Sequence, residues 1–394
     1  MKRRELLKTG LLSMGAGAMA LSGCNKETAQ HDEIDIKPRQ TGVYEFSTPM
    51  PFNFHTIDEI QRLNQKYKKS RVAGFHQNIP LPLSADFDQW TQVVRGDNPS
   101  IKSLDDFRKF VEYSIGSGFE FTYLMNSPKP FSYQNFKLFE DKFKYLLHFL
   151  YEIGVRDIKV GNTQVATLIN EFMGHDFNLS TSTAFEYHNI AQYENLFRNY
   201  PNFNLIDLSI DENQNFKFLR ALRNAFPDKK LELIMNEHCT KGCPARISHC
   251  SEISFCRFDC TNVRRQMGDF YYFYRTGVIY PWNLEYYSAL GINNFKYTAD
   301  TSGVRAQYNS INDLEMYLDC VEYGVENLDI NTFFNGIFPG GIPIYKNAKI
   351  AELMPYLPDI KHFVKHGGEC FANCGVDCKY CEICAKRTEN FLLG

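Results

Sequence analysis

The sequence predicts an α/β protein built on a TIM-like (β/α)8 barrel, incomplete or distorted, with a cysteine-rich C-terminal extension. From about Arg71 onward, short β-branched and aromatic runs alternate with helical apolar spacing at intervals of roughly 25–40 residues. The chain has no G-x-G-x-x-G turn, which disfavours the rival doubly wound sheet. Its 394 residues suffice for one barrel of about 250 residues with appendages, or for two domains.

The predicted elements follow one another in a regular order. Ser103 is a typical helix N-cap, and acidic residues follow it in the first turn. The first and last units of the barrel carry no clear pattern. Strands are predicted at 71–75, 119–126, 157–162, 177–183, 205–210, 231–236 and 294–297. Helices are predicted at 103–116, 136–154, 163–173, 190–199, 216–226 and 314–324.

Small polar residues stand at the carboxyl ends of these strands, where a barrel carries its functional site. Asn, Ser and Thr are also common helix caps and turn residues. Both interpretations apply to Asn126, Asn162, Ser180, Thr181, Ser182, Asn236 and His238.

Composition limits the classes of function. The chain is 44% hydrophobic and 23% charged, which is typical of a globular protein and not of a disordered one. Its net charge of −3 provides no basic field, so no nucleic-acid partner is expected. No uncharged apolar run reaches the roughly 18 residues of a spanning helix.

The N-terminus resembles an export signal. Residues 2–8 read K-R-R-E-L-L-K, a mildly apolar stretch follows, and Leu21-Ser22-Gly23-Cys24 resembles a lipobox. We therefore expect a twin-arginine (Tat) lipoprotein signal at 1–23 and a lipid on Cys24. The export machinery and a membrane would then be partners, and the mature protein would face the periplasm or cell exterior. The alternative is a cytosolic chain with a frayed amphipathic start.

The predicted domain organisation takes this export signal as its starting point. Residues 24–45 are expected to be a polar tether, 46–345 the barrel with a first cysteine group, and 346–394 a cysteine-rich metal-binding segment. Ten of the 12 cysteines lie in the two groups. Lone Cys320 lies in a predicted amphipathic helix, and we interpret it as a small buried hydrophobe.

The first cysteine group directly follows the 231–236 strand. Its spacing is C-x3-C-x6-C-x5-C-x3-C, and its members are Cys239, Cys243, Cys250, Cys256 and Cys260. Thiolates at such spacing favour an iron–sulfur cluster. Structural zinc and disulfides stay open as alternatives. Nearby Glu237, His238, Arg246 and His249 are candidate catalytic residues, although Glu237 and the histidines are equally compatible with a loop surface.

The second group reads C-x3-C-x3-C-x2-C-x2-C from Cys370 to Cys384. Two C-x2-C pairs each offer two thiolates from one turn, which is a strong metal signal. We expect Cys374, Cys378, Cys381 and Cys384 to hold a second iron–sulfur cluster, with zinc or disulfides as alternatives.

Three motifs together resemble the U-32 family of collagenase-like peptidases. The first is N-x2-C-x3-C-P-x-R-x2-H, from Asn236 to His249. The second is Y-P-W-N at 280–283 with a later Gly and a Phe-Lys strand at Phe295-Lys296. The third is L-S-T-S at 179–182. The chain differs from the family in lacking a Gly-Arg after Phe-Lys, where Tyr297-Thr298 stand.

The resemblance implies a TIM-like barrel with a [4Fe–4S] cluster on four cysteines. Relatives act in oxygen-independent hydroxylation of the ubiquinone precursor ring or of RNA bases, and others are described as collagen-degrading proteases. Cys243, Cys256 and Cys260 are spaced as in one ubiquinone-pathway protein, and Cys239 or Cys250 would be the fourth ligand.

The expected function is an exported iron–sulfur oxidoreductase or hydroxylase with one or two clusters. A redox partner and a small-molecule or peptide substrate would accompany it. A peptidase is the first alternative, but the sequence lacks H-E-x-x-H and G-x-S-x-G. A non-catalytic electron-transfer or maturation lipoprotein is the second.

Overall fold

Eight parallel strands close into a barrel in chain order, and β8 pairs with β1. The structure is a computed structural model that describes residues 35–78, 103–130, 132–236, 239–243, 245–247, 264–266, 268–298, 309–337, 344, 346–370 and 377–393. The predicted (β/α)8 fold class is confirmed. The strands are β1 (Tyr44–Pro49), β2 (Ser70–Gln77), β3 (Glu120–Met125), β4 (Asp157–Val160), β5 (Asn178–Thr181), β6 (Phe203–Asp207), β7 (Lys230–Ile234) and β8 (Asn294–Lys296).

Helices occupy most of the connections and the C-terminal part. They are α1 (Phe54–Lys66), α2 (Leu104–Gly116), α3 (Tyr133–Lys137), α4 (Glu140–Glu152), α5 (Thr163–Met173), α6 (Ile190–Asn199), α7 (Phe216–Ala225), α8 (Asp269–Tyr274), α9 (Leu284–Ser288), α10 (Asn309–Tyr323), α11 (Ile330–Ile337), α12 (Ile350–Leu353), α13 (Ile360–His366) and α14 (Tyr380–Leu393). Short 3₁₀ turns lie at Thr183–Phe185, Ile210–Glu212, Pro281–Asn283, Met354–Tyr356 and Gly367–Glu369. No described helix has both the length and the apolar composition needed to cross a membrane.

The predicted elements between β2 and β8 are present. The bounds of α5 and α6 agree with the sequence pattern, and Ser103 caps α2 by accepting from the Asp106 N–H at 3.0 Å. The predicted helix at 136–154 is divided into α3 and α4. The first barrel unit, which the sequence pattern did not reveal, consists of β1 and α1. Asn53 caps α1 by accepting from the Thr56 N–H at 3.3 Å.

Apolar side chains on the helices pack against the outer surface of the barrel. On α4, Phe143, Leu146, Leu147 and Leu150 are buried, and their i, i+3, i+4, i+7 spacing gives the helix one apolar face. Each such side chain contributes roughly 1.5–3 kcal/mol on burial. The predicted core residue Cys320 is 6% exposed on α10, and burial raises the pKa of its thiol to about 12.

Two glycines allow backbones to approach closely. A Cβ on Gly161, directly after β4, would lie 2.3 Å from the Ser127 carbonyl oxygen. A Cβ on Gly367 would lie 1.6 Å from the carbonyl oxygen of Gln214, before α7. The second contact holds the start of the cysteine-rich C-terminal segment against the carboxyl end of the barrel.

The two ends of the described chain are also attached to the barrel. The Thr41 hydroxyl donates to the Ser288 carbonyl at 2.7 Å, just before β1 begins. Helix α14 packs against α8, where the hydroxyls of Tyr274 and Thr388 lie 2.7 Å apart.

Candidate functional site

Most of the polar residues at the strand ends have structural partners. Asn162 caps α5 by accepting from the Val165 N–H at 3.1 Å, and Ser182 caps the following 3₁₀ turn. Asn236 Oδ1 accepts from the Thr298 N–H at 2.8 Å, which joins the ends of β7 and β8. The cap-and-turn interpretation is therefore confirmed for Asn162 and Ser182. The Ser180 hydroxyl is buried and has no hydrogen-bond partner in the part of the chain that the structure describes.

The barrel interior contains a cluster of charged side chains near the carboxyl ends of the strands. Lys159 Nζ on β4 donates to Asp207 Oδ2 on β6 at 2.8 Å and to Glu232 Oε2 on β7. Lys296 Nζ on β8 lies 3.6 Å from the same Asp207 oxygen. The Ser47 hydroxyl on β1 donates to Glu232 Oε1 at 3.0 Å. We call the lumen cluster Ser47, His76, Lys159, Ser180, Asp207, Glu232 and Lys296.

Burial and neighbouring charges shift the proton affinities in this cluster. Burial raises the pKa of Asp207, an effect that Lys159 and Lys296 oppose. Burial also acts to raise the pKa of Glu232, but these two lysines outweigh it and hold that pKa below its usual range. Burial and the same ammonium groups lower the pKa of His76 well below its usual value, so this imidazole is neutral at pH 7.

The first cysteine group begins on the rim of the barrel, just after β7. Cys239 is 7% exposed and packs with Ile210 and Ile234. The segment is attached further on, where the Lys241 N–H donates to the Arg275 carbonyl at 2.9 Å. The Arg246 N–H donates to the Cys243 carbonyl at 3.2 Å. The candidates Glu237, His238, His249, Cys250, Cys256 and Cys260 lie outside the described residues, as does Cys24.

Arg246 is the centre of an ion network on this rim. Its Nη1 and Nη2 donate to the two Asp211 carboxylate oxygens, each at 2.7 Å. The same guanidinium lies 3.4 Å from Glu186 Oε2, and Glu186 lies 3.4 Å from His188. His188 Nδ1 lies 2.8 Å from Glu212 Oε1. We call the rim cluster Glu186, His188, Asp211, Glu212 and Arg246.

Some charged side chains of the rim cluster are partly exposed to solvent. Hydrogen bonds to Glu186 and Glu212 raise the pKa of His188 to about 10. Among the residues that the structure describes, Glu186, His188 and Asp211 are the one group of three metal-ligating side chains whose ligand atoms lie within 4.8 Å of one another. Because Arg246 occupies both Asp211 oxygens, we interpret the group as an ion network that anchors the cysteine segment.

Three cysteines of the second group line a narrow cavity that the segment of the first group also reaches. Cys370, Cys378 and Cys381 line this cavity together with Lys241, which lies between Cys239 and Cys243 in the sequence. Arg275 and His362 also line it. The Cys381 thiol donates to the Tyr274 carbonyl at 3.4 Å. Residues far apart in the chain therefore bring both cysteine segments to one place.

The remaining predicted ligands of this group are Cys374 and Cys384. Cys374 lies outside the described residues. Cys384 is 1% exposed one turn after Cys381 on α14, and burial raises the pKa of its thiol. Tyr380, on the same helix, stacks on His362 with ring centroids 3.7 Å apart. Its hydroxyl oxygen accepts from the Asp359 N–H, just before α13, at 2.8 Å.

Sequence reasoning missed both clusters of charges. The lumen lysines and carboxylates each interrupt an apolar strand, as in I-K-V, L-I-D-L and L-E-L-I. Barrel strands are buried on both faces, so a lone charge within such a strand must point into the barrel. The strands contribute two lysines and two carboxylates, so a charged cluster inside the barrel could have been predicted from the sequence. The rim cluster has no such signal, because it joins three separate loops.

The chain is similar at low identity to several solved structures. No protein-family model and no curated protein matches the sequence. The U32 peptidase Mk0906 is 11% identical with a TM-score of 0.44, covering 68% of this chain and 97% of that chain. A GH113 β-1,4-mannanase is 11% identical with a TM-score of 0.35, covering 66% and 88%. CdNal from Clostridium difficile is 12% identical with a TM-score of 0.35, covering 91% and 100%. These similarities assign neither a family nor an activity to the chain, and its barrel fold follows from its own strand order.

Proposed function

We propose that this chain is an iron–sulfur barrel protein of oxidoreductase or hydroxylase type, exported and anchored through Cys24. The observation that carries the proposal is the cavity at which Cys370, Cys378 and Cys381 lie beside Lys241 of the first cysteine segment. Two thiol-bearing segments thus adjoin at the carboxyl end of the barrel, where barrel proteins carry their sites.

The surroundings of these thiols suit a thiolate-bound cluster. Sulfur ligands favour soft metal centres, and the cavity adds two cationic side chains, Lys241 and Arg275. Lys241 Nζ also lies 4.9 Å from the centroid of the Phe363 ring. Cations stabilise the negative charge of a thiolate-bound cluster and raise its reduction potential.

The first segment would hold a second group of thiolates. Cys239 is buried at the end of β7 and Cys243 follows it on an ion-anchored turn. An iron–sulfur cluster supplies one-electron transfer when bound. The protein's own contribution is to hold both cysteine segments at the end of α8, where Lys241 donates to Arg275 and Cys381 donates to Tyr274. It also excludes water from Cys239.

The metal content decides this proposal. The full chain, purified anaerobically, is expected to show sulfide-to-iron charge-transfer absorption and to contain iron and acid-labile sulfide. Cys378→Ser and Cys381→Ser should lower both contents, and Cys243→Ser should lower them independently. Cys320→Ser on α10 is the matched control, because that thiol lies in the core. A colourless protein that contains only zinc would contradict the redox proposal.

The export part of the proposal has its own test. Fractionation of cells that express the full chain should find it in the membrane fraction, accessible from outside the cytoplasm. Cys24→Ala should release it from the membrane, and Arg3→Lys with Arg4→Lys should retain it in the cytoplasm. Retention of the wild-type chain in the soluble cytoplasm would contradict this part alone.

The peptidase alternative has less support in the described residues. The Ser47 hydroxyl donates to Glu232, but the neighbouring lysines hold the pKa of that carboxyl low, which makes it a weak base. Lys159 is held as an ammonium ion by two carboxylates, so it also is a poor base. Cleavage of a gelatin-like substrate that survives in all the cysteine variants would favour the peptidase.

A further inference from the structure

The lumen cluster is a candidate ligand site that is separate from the cysteine segments. Its contacts join strands that are not neighbours in the sheet: β4 with β6, β4 with β7, and β1 with β7. Neighbouring strands are about 4.8 Å apart, so these side chains can meet only across the barrel interior. Barrel interiors are ordinarily filled by layers of branched apolar side chains.

Within the described residues, three polar atoms of this cluster have no hydrogen-bond partner. They are Asp207 Oδ1, His76 Nδ1 and Ser180 Oγ, and their residues are 2%, 6% and 6% exposed. A buried polar atom without a partner is costly and therefore uncommon in a folded protein. Each residue is the last or next-to-last of its strand. The three atoms thus lie at the carboxyl end of the barrel, where ligands bind.

The charges indicate what kind of ligand would fit. Two ammonium groups, Lys159 and Lys296, face two carboxylates, Asp207 and Glu232, and the neutral His76 adds none. An ionic ligand would find no uncompensated charge to offset its desolvation. Asp207 Oδ1 only accepts hydrogen bonds, whereas the hydroxyl and the imidazole nitrogen can donate or accept. A hydroxyl group of a ligand can form a hydrogen bond with each of these three kinds of atom.

We propose that the lumen cluster binds a neutral polyhydroxylated molecule, a monosaccharide or a cyclic polyol. Its hydroxyl groups would donate to Asp207 Oδ1 and pair with Ser180 Oγ and His76 Nδ1. These residues lie on β6, β5 and β2, so a ligand with several hydroxyl groups would be contacted from three strands. The site is independent of metal, because none of its residues is a cysteine or a neighbour of one in the sequence.

Isothermal titration of the full chain tests this site. The neutral probes are methyl glucoside and myo-inositol, and the charged counterparts are glucuronate and glucosamine. At least one neutral probe should bind, and the charged ones should bind more weakly. Ser180→Ala should weaken affinity by about fivefold and Asp207→Asn by about tenfold or more. Asp176→Asn, an exposed carboxylate between α5 and β5, should leave affinity unchanged.

Several outcomes would overturn the proposal. They are no heat from either neutral probe, equal affinity in wild type and Ser180→Ala, or tighter binding of a charged counterpart. Ser180→Ala decides the matter even where Asp207→Asn does not fold, because it leaves the ion pairs intact. The proposal is also overturned if a crystal soaked with a neutral probe contains only water at the three unpartnered atoms. Binding retained in Cys378→Ser separates this site from the metal proposal.

Discussion

The lumen cluster and the rim cluster are built from the same chemistry in different surroundings. In the lumen the side chains of Lys159, Asp207 and Glu232 are 4%, 1% and 7% exposed. On the rim, His188 is 40% and Glu186 19% exposed. Water can replace a lost partner of His188 or Glu186 on the rim, but it cannot do so in the lumen. The comparison indicates that a charge network inside the barrel mainly determines stability. A network on the rim mainly positions a loop.

The strongest test of this difference is Lys159→Met. The variant leaves Asp207 and Glu232 buried without their common hydrogen-bond donor. Removing one partner of a buried ion pair typically costs about 3–5 kcal/mol, and we expect a loss of that size in the free energy of unfolding. Urea denaturation followed by circular dichroism measures it.

Lys230→Met is the matched control for Lys159→Met. Lys230 belongs to the same barrel, but it is half exposed and lies 3.4 Å from Glu120, which is also exposed. An exposed pair is worth less than about 1 kcal/mol. Equal losses in the two variants would mean that the lumen carboxylates are solvated, which contradicts the comparison.

The next effect is expected from Arg246→Gln on the rim. This change removes two hydrogen bonds to Asp211, each at 2.7 Å. Hydrogen bonds to charged groups contribute about 1.5–3 kcal/mol, so we expect a loss of about 2–3 kcal/mol in unfolding free energy. Iron content should fall as well, because Arg246 anchors the segment that carries Cys239 and Cys243.

Arg246→Lys separates charge from geometry. Lysine keeps the positive charge but cannot make the two parallel hydrogen bonds, so it should recover only part of the loss. A double-mutant cycle with Asp211→Asn should show strong coupling. Additive effects of the two substitutions would contradict the network.

Much of the fold was predictable because the local and the global signals agree. Helix α5 has an Asn162 cap, apolar residues at helical spacing and a terminal Gly174, so its bounds follow from the sequence alone. Strand β1 was missed because it lies next to a polar stretch, and what defines it is pairing with β2 and β8. That pairing is a tertiary fact, so sequence periodicity carries little information about it.

The two groups of cysteines could be found from the sequence, but their spatial arrangement could not. The spacing of the cysteines pointed to metal, but Lys241 was not identified, because its place beside Cys370 and Cys381 arises from the packing of α8, α13 and α14. Glu186 was also missed. It adopts φ of 47°, in the left-handed region, and reaches Arg246 from a loop that is distant in sequence.

A smaller effect comes from two serines that each donate to a carboxylate. Ser47 donates to Glu232 in the lumen at 3.0 Å, and Ser209 donates to Glu186 on the rim at 2.9 Å. Ser47→Ala should cost about 2 kcal/mol and Ser209→Ala about 1 kcal/mol, since water can reach Glu186. Parallel urea titrations measure the two losses. A larger loss for Ser209→Ala would reverse the comparison.

The smallest effect is a pH dependence of the rim cluster between about pH 6 and pH 10. The pKa of His188 is about 10 in the folded chain, raised by Glu186 and Glu212, and about 6.5 when unfolded. Its stabilisation is therefore complete below about pH 6.5 and is lost as pH rises through about 10. Because the side chain is 40% exposed, solvent screening limits the contribution to about 1 kcal/mol.

Wild type should exceed His188→Gln in unfolding free energy at about pH 6 and equal it above about pH 10. His148→Gln, on the exposed side of α4, controls for the substitution itself. A constant difference between wild type and His188→Gln across this range would mean that His188 stabilises the rim by packing and not by its charge.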